Sequence, residues 1–328
     1  MSRARFIALI VAALLAISGA LYLGAQRNLP RDQRDTALLP GFANQLNTVS
    51  ALSVRKGSKD PTATLRKSGE HWTVAERADF PADNSKLRKL LLALAEAKIV
   101  EEKTSDPANF SVIGVEDPSL PNAAGAEVSV VAADGRRALI VGKPVGAGNF
   151  ARRSGENQSY SVEPGISFEA EPRHWIDSRL IDIAADKVQR LELKPASGPA
   201  YSVHRIAPGK DDFALDGLPA GRKAAEARSL APSSNAFSGL SAEDVAAAGD
   251  IDFSQASTAT LTLADGEVIR LIGTPGTEKH WIKIEAGKDA ALTAKAAGRA
   301  FEIQGYRYDM IFRPLERLLE SKPAPPAP

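Results

Sequence analysis

The chain of 328 residues contains no cysteine and only four histidines. Without cysteine it has no residue to carry the lipid of a bacterial lipoprotein, to form a disulfide or to bind zinc through a thiolate. Its 41 basic and 40 acidic residues leave a formal net charge of +1, which argues against nucleic acid as the main partner. Because no disulfide can form, the stability of the protein must come from a hydrophobic core. A hydrophobic content of 44% is ordinary for a globular protein with such a core.

Charged residues are also absent from residues 6–25, which follow Arg3 and Arg5. About 20 helical residues span about 30 Å, the thickness of the hydrocarbon core of a bilayer. The sequence predicts a cytoplasmic lead over 1–5, a transmembrane anchor over 6–25 and a polar linker over 26–45. A cleaved signal peptide is the alternative, but its apolar stretch is shorter, roughly 7 to 15 residues, and residues 23–25 make a poor cleavage site.

The basic residues on the two sides of this segment give opposing signals about orientation. Arg3 and Arg5 favour a cytoplasmic amino terminus, whereas Arg27, Arg31 and Arg34 lie on the far flank. We favour the first orientation because the segment is N-terminal and no later one returns the chain across the membrane. The prediction is a single-pass protein of the inner membrane with most of its chain in the periplasm.

One face of the predicted anchor carries a small residue at every fourth position: Ala8, Ala12, Ala16, Ala20 and Gly24. Small residues allow transmembrane helices to approach one another closely, so this stripe predicts contact with another membrane helix. Because alanine is frequent throughout the chain, chance is the alternative explanation.

The remaining sequence contains matches that suggest an internal repeat. Residues 128–135 (VSVVAADG) and 138–142 (ALIVG) resemble 259–266 (ATLTLADG) and 269–273 (IRLIG). In both places Asp-Gly separates two apolar or alternating runs, which predicts a β-hairpin. The same offset aligns Phe150 with Trp281 and Trp175 with Tyr306. Two upstream segments, 49–54 and 71–74, match 188–193 and 212–215 at slightly larger offsets.

These matches predict two tandem, duplicated α+β modules with mainly antiparallel sheets. Module 1 covers 46–183, module 2 covers 184–320, and a disordered tail covers 321–328. In module 1, Asp83 offers a helix cap, and Leu87, Leu90, Leu91 and Leu94 fall on one helical face. In module 2 the corresponding helix is eroded: residues 224–230 give one or two turns, Pro232 interrupts them, and 241–247 start a helix again.

An ordered series of short motifs makes the chain resemble a bacterial domain-of-unknown-function family, the one numbered 4340. The motifs are WTV (72–74), FPAD (80–83), the leucine helix (87–94), IVE (99–101), IGV (113–115), VSVVAADG (128–135), IVG (140–142), NFAR (149–152), YSV (160–162) and WID (175–177). The resemblance covers most of residues 46–200, and the second module more loosely. The resemblance implies one N-terminal span, an extracytoplasmic region and an auxiliary envelope role near ABC-type transporter components, with permease or ATPase subunits as partners. It implies no catalytic residue.

Two sets of side chains are candidates for a ligand surface. Histidine precedes tryptophan at His71–Trp72 and His280–Trp281, which would suit stacking on sugar rings, although a strand with tryptophan buried and histidine in solvent gives the same pattern. Arg152 and Arg153 follow Phe150 and predict a basic patch, for which a solvated strand face is the alternative.

No motif in the chain predicts catalysis, a cofactor or a metal. The glycines of 142–149 do not form a phosphate-binding loop, because no helix opens there and no Ser or Thr follows the lysine. A glycan hydrolase needs two neighbouring carboxylates, for which Asp79, Asp83, Asp117 and Asp177 are the candidates. The sequence therefore favours a non-enzymatic periplasmic auxiliary or scaffold protein, with a glycan- or lipid-binding module as the alternative and an envelope hydrolase behind it.

Overall fold

The computed structural model describes residues 36–207, 212–232, 234–276 and 278–320. Strands predominate in these ranges. They are β1 (Ala51–Arg55), β2 (Ala63–Ser68), β3 (His71–Val74), β4 (Phe80–Pro81), β5 (Lys98–Glu102), β6 (Ala126–Ala132), β7 (Gly135–Val145), β8 (Gly148–Arg153), β9 (Ser159–Glu163), β10 (Arg179–Ile181), β11 (Val188–Lys194), β12 (Tyr201–Arg205), β13 (Phe213–Asp216), β14 (Leu240–Ser241), β15 (Asp244–Ala247), β16 (Ser257–Leu263), β17 (Val268–Pro275), β18 (His280–Ala286) and β19 (Arg299–Ile303).

The helices are short apart from the first. The α-helices are α1 (Asn84–Glu96), α2 (Phe110–Ile113), α3 (Ala227–Leu230), α4 (Ser234–Phe237), α5 (Ala290–Ala296) and α6 (Gly305–Ile311). Short segments of 3-10 helix cover Phe42–Thr48, Ala75–Arg77, Pro107–Asn109, Pro172–Trp175, Ala185–Lys187, Ala248–Asp250 and Leu315–Leu318. Within the described ranges, no helix is long and apolar enough to cross a bilayer. The predicted lead, the anchor with its small-residue stripe, residues 26–35 of the linker and the tail lie outside those ranges.

Two large antiparallel sheets contain nearly all the strands. The first has the order β4-β3-β2-β1-β6-β7-β8-β9-β5, and the second has the order β13-β12-β11-β16-β17-β18-β19-β15. The two orders correspond strand by strand once β4 is set aside. A short pair, β10 with β14, links residues from the two halves of the chain. The predicted α+β class with mainly antiparallel sheets is therefore confirmed.

The registers place several of the matched sequence positions equivalently. Both Asp-Gly pairs lie at turns between antiparallel neighbours, β6 with β7 and β16 with β17. Phe150 pairs with Ser161 across β8 and β9, and Trp281 pairs with Glu302 across β18 and β19. Trp175 and Tyr306 are not equivalent in burial: Trp175 is 3% exposed in a 3-10 turn, whereas Tyr306 is 53% exposed in α6.

The capped leucine helix of module 1 forms as the sequence predicts. The Asp83 carboxylate accepts hydrogen bonds from the backbone N–H groups of Ser85 and Lys86, at 2.9 and 3.2 Å, and so satisfies two of the free donors of α1. Leu87, Leu90 and Leu94 are buried against the inner face of the first sheet, because their spacing places them on one side of the helix.

The helix predicted to restart at 241–247 is wrong, since this segment forms β14 and β15. In β15, Val245 pairs with Phe301 of β19 and is buried in the core. Pairing with the neighbouring strand thus overrides the helical propensity of the alanines at 246 and 247, as tertiary context commonly does.

The predicted linker ends earlier than its polar composition suggested. Leu38 and Phe42 are fully buried in the core of module 1. The Leu38 N–H donates to the carbonyl of Ala97 at 2.8 Å, and the Ile99 N–H donates to the carbonyl of Thr36 at 2.9 Å. Residues 36–45 therefore belong to module 1, where they protect the outer edge of β5.

The outer faces of the two sheets are covered differently. In module 1, Phe110 and Val115 from the segment between β5 and β6 pack on Ile140 of β7. In module 2 the segment between β15 and β16 is shorter, and its Phe253 ring lies 4.3 Å from the Lys283 ammonium. On the inner faces, the buried apolar side chains form one cluster that continues from the first sheet into the second.

Candidate functional site

An aromatic pair lies where the two modules meet. Phe80 of β4 and Phe301 of β19 are both buried, with ring centroids 5.6 Å apart in an edge-to-face arrangement. The Lys295 ammonium and the Arg299 guanidinium of module 2 lie 5.2 and 5.7 Å from the centroid of the Phe80 ring. Module 2 therefore surrounds one aromatic ring of module 1 with an aromatic edge and two cations, each an attractive contact.

Arg299 also holds a backbone turn of module 1. Ala78 and Asp79, which precede Phe80, have φ angles of 53° and 49°, a left-handed conformation that non-glycine residues rarely adopt. The guanidinium of Arg299 donates to the carbonyls of Ala78 at 3.0 Å and Asp79 at 3.3 Å. Burial lowers the pKa of Arg299 from its ordinary value, with the charge of Asp79 opposing that effect. The strained turn is thus held by the other module.

Two ion pairs also join the modules. Arg77 donates to the Asp244 carboxylate, and both side chains are less than a quarter exposed. Lys295 of α5 lies 3.1 Å from the Asp177 carboxylate and also donates to the carbonyl of Arg179. Burial alone would raise the pKa of Asp177, but the hydrogen bonds and charges of Lys295 and Arg179 outweigh it and lower that pKa. We call the set Arg77, Ala78, Asp79, Phe80, Asp177, Asp244, Lys295, Arg299 and Phe301 the junction.

A groove of about 590 Å³ opens on module 1, away from the junction. Strands β2 and β3, helix α1 and the 3-10 turn Phe42–Thr48 surround it. Trp72 lines it and is half-buried, so this predicted residue does lie at a concave surface. His71 is exposed at the start of β3 and is not among the lining residues.

The other predicted ligand residues do not join Trp72. His280 and Trp281 lie on β18 of the second sheet. Arg152 and Arg153 lie on β8, five strand steps from β3 in the first sheet, and at about 4.8 Å per step they are about 24 Å away. The structure thus separates these side chains into three places.

Arg152 and Arg153 are structural rather than free to bind an anion, which corrects the predicted basic patch. Arg152 is 9% exposed, donates to the carbonyl of Val115 at 3.0 Å and lies 4.6 Å from the centre of the Phe110 ring. Arg153 donates to the carbonyl of Leu38 at 2.8 Å and lies over Tyr160. Arg152 thus holds the segment with Phe110 and Val115 on the sheet, and Arg153 holds the segment at Leu38.

Three of the four candidate acids have structural partners. Asp83 caps α1, Asp117 accepts a hydrogen bond from the Ser119 N–H, and Asp177 binds Lys295. The Ser119 hydrogen bonds lower the pKa of Asp117. Asp79 contributes its backbone carbonyl to the junction. Across the described ranges, no group of three His, Cys, Asp or Glu side chains is arranged to hold a metal ion.

The glycine-rich segment 142–149 covers the end of β7, a tight turn and the start of β8. Val145 pairs with Gly148 in the turn between β7 and β8. A Cβ atom on Gly142 would lie 2.5 Å from the carbonyl oxygen of Ile113, and one on Gly148 would lie 1.7 Å from that of Val162. Glycine is needed here because backbones meet at short range, not to bind phosphate.

Fold and junction define a class of protein: two antiparallel α+β modules whose inner faces share one core. A family model described as Domain of unknown function (DUF4340) matches residues 72–266, more than half of the chain, and the chain belongs to that family. The match begins within β3 and ends at the turn after β16, so it includes parts of both sheets. No curated protein and no solved structure matches the chain.

Proposed function

We propose that this protein is a non-enzymatic, membrane-anchored auxiliary or scaffold protein of the bacterial envelope. In this proposal residues 6–25 anchor it in the inner membrane and the two modules lie in the periplasm. The partner is an ABC-type transporter, through its permease or ATPase subunits, as the family resemblance implies. The modules then present one continuous body to another subunit or to cargo.

The observation that carries this proposal is the junction. It combines buried aromatic rings, two ion pairs and a held backbone turn, and it lies within a core that is continuous through both sheets. Such contacts favour two modules that move together, which suits a structural element. Three of the acids that were candidates for a hydrolase have structural contacts: Asp83 caps a helix, Asp117 closes a turn and Asp177 binds a lysine.

We also propose that the modules arose by duplication. Matching strand orders support this, as do equivalent registers at Phe150 and Trp281. A further equivalence supports it: Arg152 pairs across the strands with Ile140 and lies on Phe110, while Lys283 pairs with Ile272 and lies on Phe253. One cation-on-ring contact thus occurs at the same place in both sheets.

Affinity purification tests the proposed role. The full-length chain, tagged at its C-terminus, is recovered from membranes in mild detergent and its companions are identified by mass spectrometry. We expect an ABC permease or ATPase to be enriched over an unrelated single-span control protein. Recovery of the chain without transporter subunits would contradict the proposed partnership.

The small-residue stripe is tested in the same assay. Ala12→Phe combined with Ala16→Phe places bulk on the stripe, and Ala13→Phe is the matched control on a neighbouring face of the predicted helix. We expect the double variant to lose the transporter subunits and the control to retain them, because close helix packing tolerates only small residues. Equal recovery from both variants would remove the stripe from the proposal.

A further inference from the structure

The groove on module 1 lies between the β2–β3 hairpin, helix α1 and the 3-10 segment Phe42–Thr48. Lys67 pairs with Trp72 and Leu65 pairs with Val74 in this hairpin. Leu65 and Val74 are fully buried, and alternation along each strand puts Lys67 and Trp72 on the same, inner face. These two side chains therefore continue the core-facing surface to a place where it is open to solvent.

Six of the eleven side chains that line the groove are apolar. Its aliphatic lining comes from the 3-10 turn and from α1: Leu46, Val49, Leu87, Leu91 and Leu92. Leu92 is 42% exposed, and Trp72 presents a half-buried indole beside it. The volume of about 590 Å³ lies within the range of roughly 300 to 1,000 Å³ that is usual for small-molecule sites. This aliphatic part of the lining suits a hydrocarbon chain better than a sugar ring.

The rim of the groove is rich in hydrogen-bond donors. Lys67 comes from the sheet wall and Arg88 from the helix wall, and among the described residues neither side chain has an ion-pair or hydrogen-bond partner. The Trp72 indole N–H likewise has no acceptor among them. Glu70 is the single acid of the lining, so the charged groups of the rim sum to one positive charge.

We propose that this groove binds a long-chain fatty carboxylate. The acyl chain lies on the aliphatic part of the lining beside Trp72, and the carboxylate lies between Lys67 and Arg88. One negative charge matches the net charge of the rim, and a guanidinium binds a carboxylate through two parallel hydrogen bonds. This activity is separate from the scaffold role and does not depend on a transporter partner.

Brominated acyl chains test the site because bromine quenches tryptophan fluorescence on contact. The full-length chain is placed in phosphatidylcholine nanodiscs as two variants, one retaining only Trp72 and the other only Trp281. Dibromostearate is the probe, its methyl ester is the uncharged control, and dibrominated phosphatidylglycerol is the bilayer-lipid control. We expect saturable quenching of Trp72 by dibromostearate, with little quenching of Trp281 and little effect of either control lipid.

The rim cations are then removed in pairs. Lys67→Gln with Arg88→Gln should weaken binding by about tenfold or more, as expected for loss of charge-assisted hydrogen bonds to a carboxylate. Arg66→Gln with Lys89→Gln is the matched control: it removes the same charge from the same strand and helix but outside the groove, and should leave affinity unchanged.

Three results would overturn the proposal. They are equal quenching by the acid and its methyl ester, equal quenching of Trp72 and Trp281, and equal loss of affinity in both charge-pair variants. Quenching by phosphatidylglycerol at the level of the free acid would assign the groove to bilayer lipid instead. Equilibrium dialysis of stearate against the chain with all its tryptophans gives the same comparison without the aromatic substitutions, so the outcome does not depend on how those variants fold.

Discussion

Replacing Phe80 by alanine removes the central ring of the junction. The ring is fully buried, and its loss removes the edge-to-face contact with Phe301 and the contacts with Lys295 and Arg299. An aromatic pair contributes about 0.5 to 1.5 kcal/mol beyond buried area, and a cation over a ring about 0.5 to 2 kcal/mol. With the cavity included, we expect Phe80→Ala to lower the free energy of unfolding by about 3 to 5 kcal/mol.

The assay is urea unfolding of the full-length chain, monitored by the fluorescence of one tryptophan in each module. Variants that retain only Trp72 report on module 1, and variants that retain only Trp281 report on module 2. With the junction intact, we expect the two transitions to coincide, as they must when the modules unfold as one unit. With Phe80→Ala, we expect them to separate, because contacts between the modules are lost while most of each core remains.

Phe110→Ala is the matched control for this prediction. Phe110 is also buried and also lies against an arginine, but it packs on the outer face of module 1 and makes no junction contact. This variant should lose comparable stability and keep coincident transitions. The reasoning is refuted if the transitions of Phe80→Ala also coincide, or if those of the unsubstituted junction are already separate.

Three further substitutions test individual contacts. Arg299→Ala should cost about 1 to 3 kcal/mol in urea unfolding, because it leaves the part-buried carbonyl of Ala78 and the exposed carbonyl of Asp79 in the strained turn without their donor; a change below about 0.5 kcal/mol, typical of surface substitutions, would contradict this role. Asp177→Asn should destabilise the protein at neutral pH, and the difference should shrink below about pH 4: a lowered folded-state pKa stabilises above the unfolded value and that stability is lost as the carboxylate protonates. Gly148→Ala should lower the melting temperature clearly, whereas Gly249→Ala, where a Cβ meets no atom within 4 Å, should leave it nearly unchanged; equal effects would refute the close-approach explanation.

Elements specified by neighbouring residues were predictable from the sequence. The cap at Asp83 and the leucine spacing of α1 are local signals, as are the Asp-Gly turns of both hairpins. The antiparallel class followed from those hairpins. Each of these features depends on residues within about one helical turn or one tight turn, where spacing and backbone preference decide the structure.

Features made by distant residues were not predictable in this way. Arg299 and Ala78 are 221 residues apart in sequence, and no local pattern marks either as part of a junction. Arg152 looked like half of a basic patch, but its acceptor at Val115 is 37 residues away and only the fold brings them together. For the same reason the polar composition around Leu38 concealed a buried segment, and Val245 was assigned to a helix instead of to a strand beside β19.

The strand order has a consequence for how the chain folds. In the first sheet, β1 lies beside β6, and Ser53 meets Ser129 across 76 residues of sequence; β11 and β16 make the corresponding pair in the second sheet. Hairpins flank this central pair on both sides. The hairpins form quickly, whereas the central pairs, β1 with β6 and β11 with β16, form only after a long loop has closed. Chains with such non-local pairing fold slowly for their stability. Before closure, β1 and β6 each present an unpaired edge to neighbouring chains, which makes a newly synthesised chain most prone to aggregation at that stage.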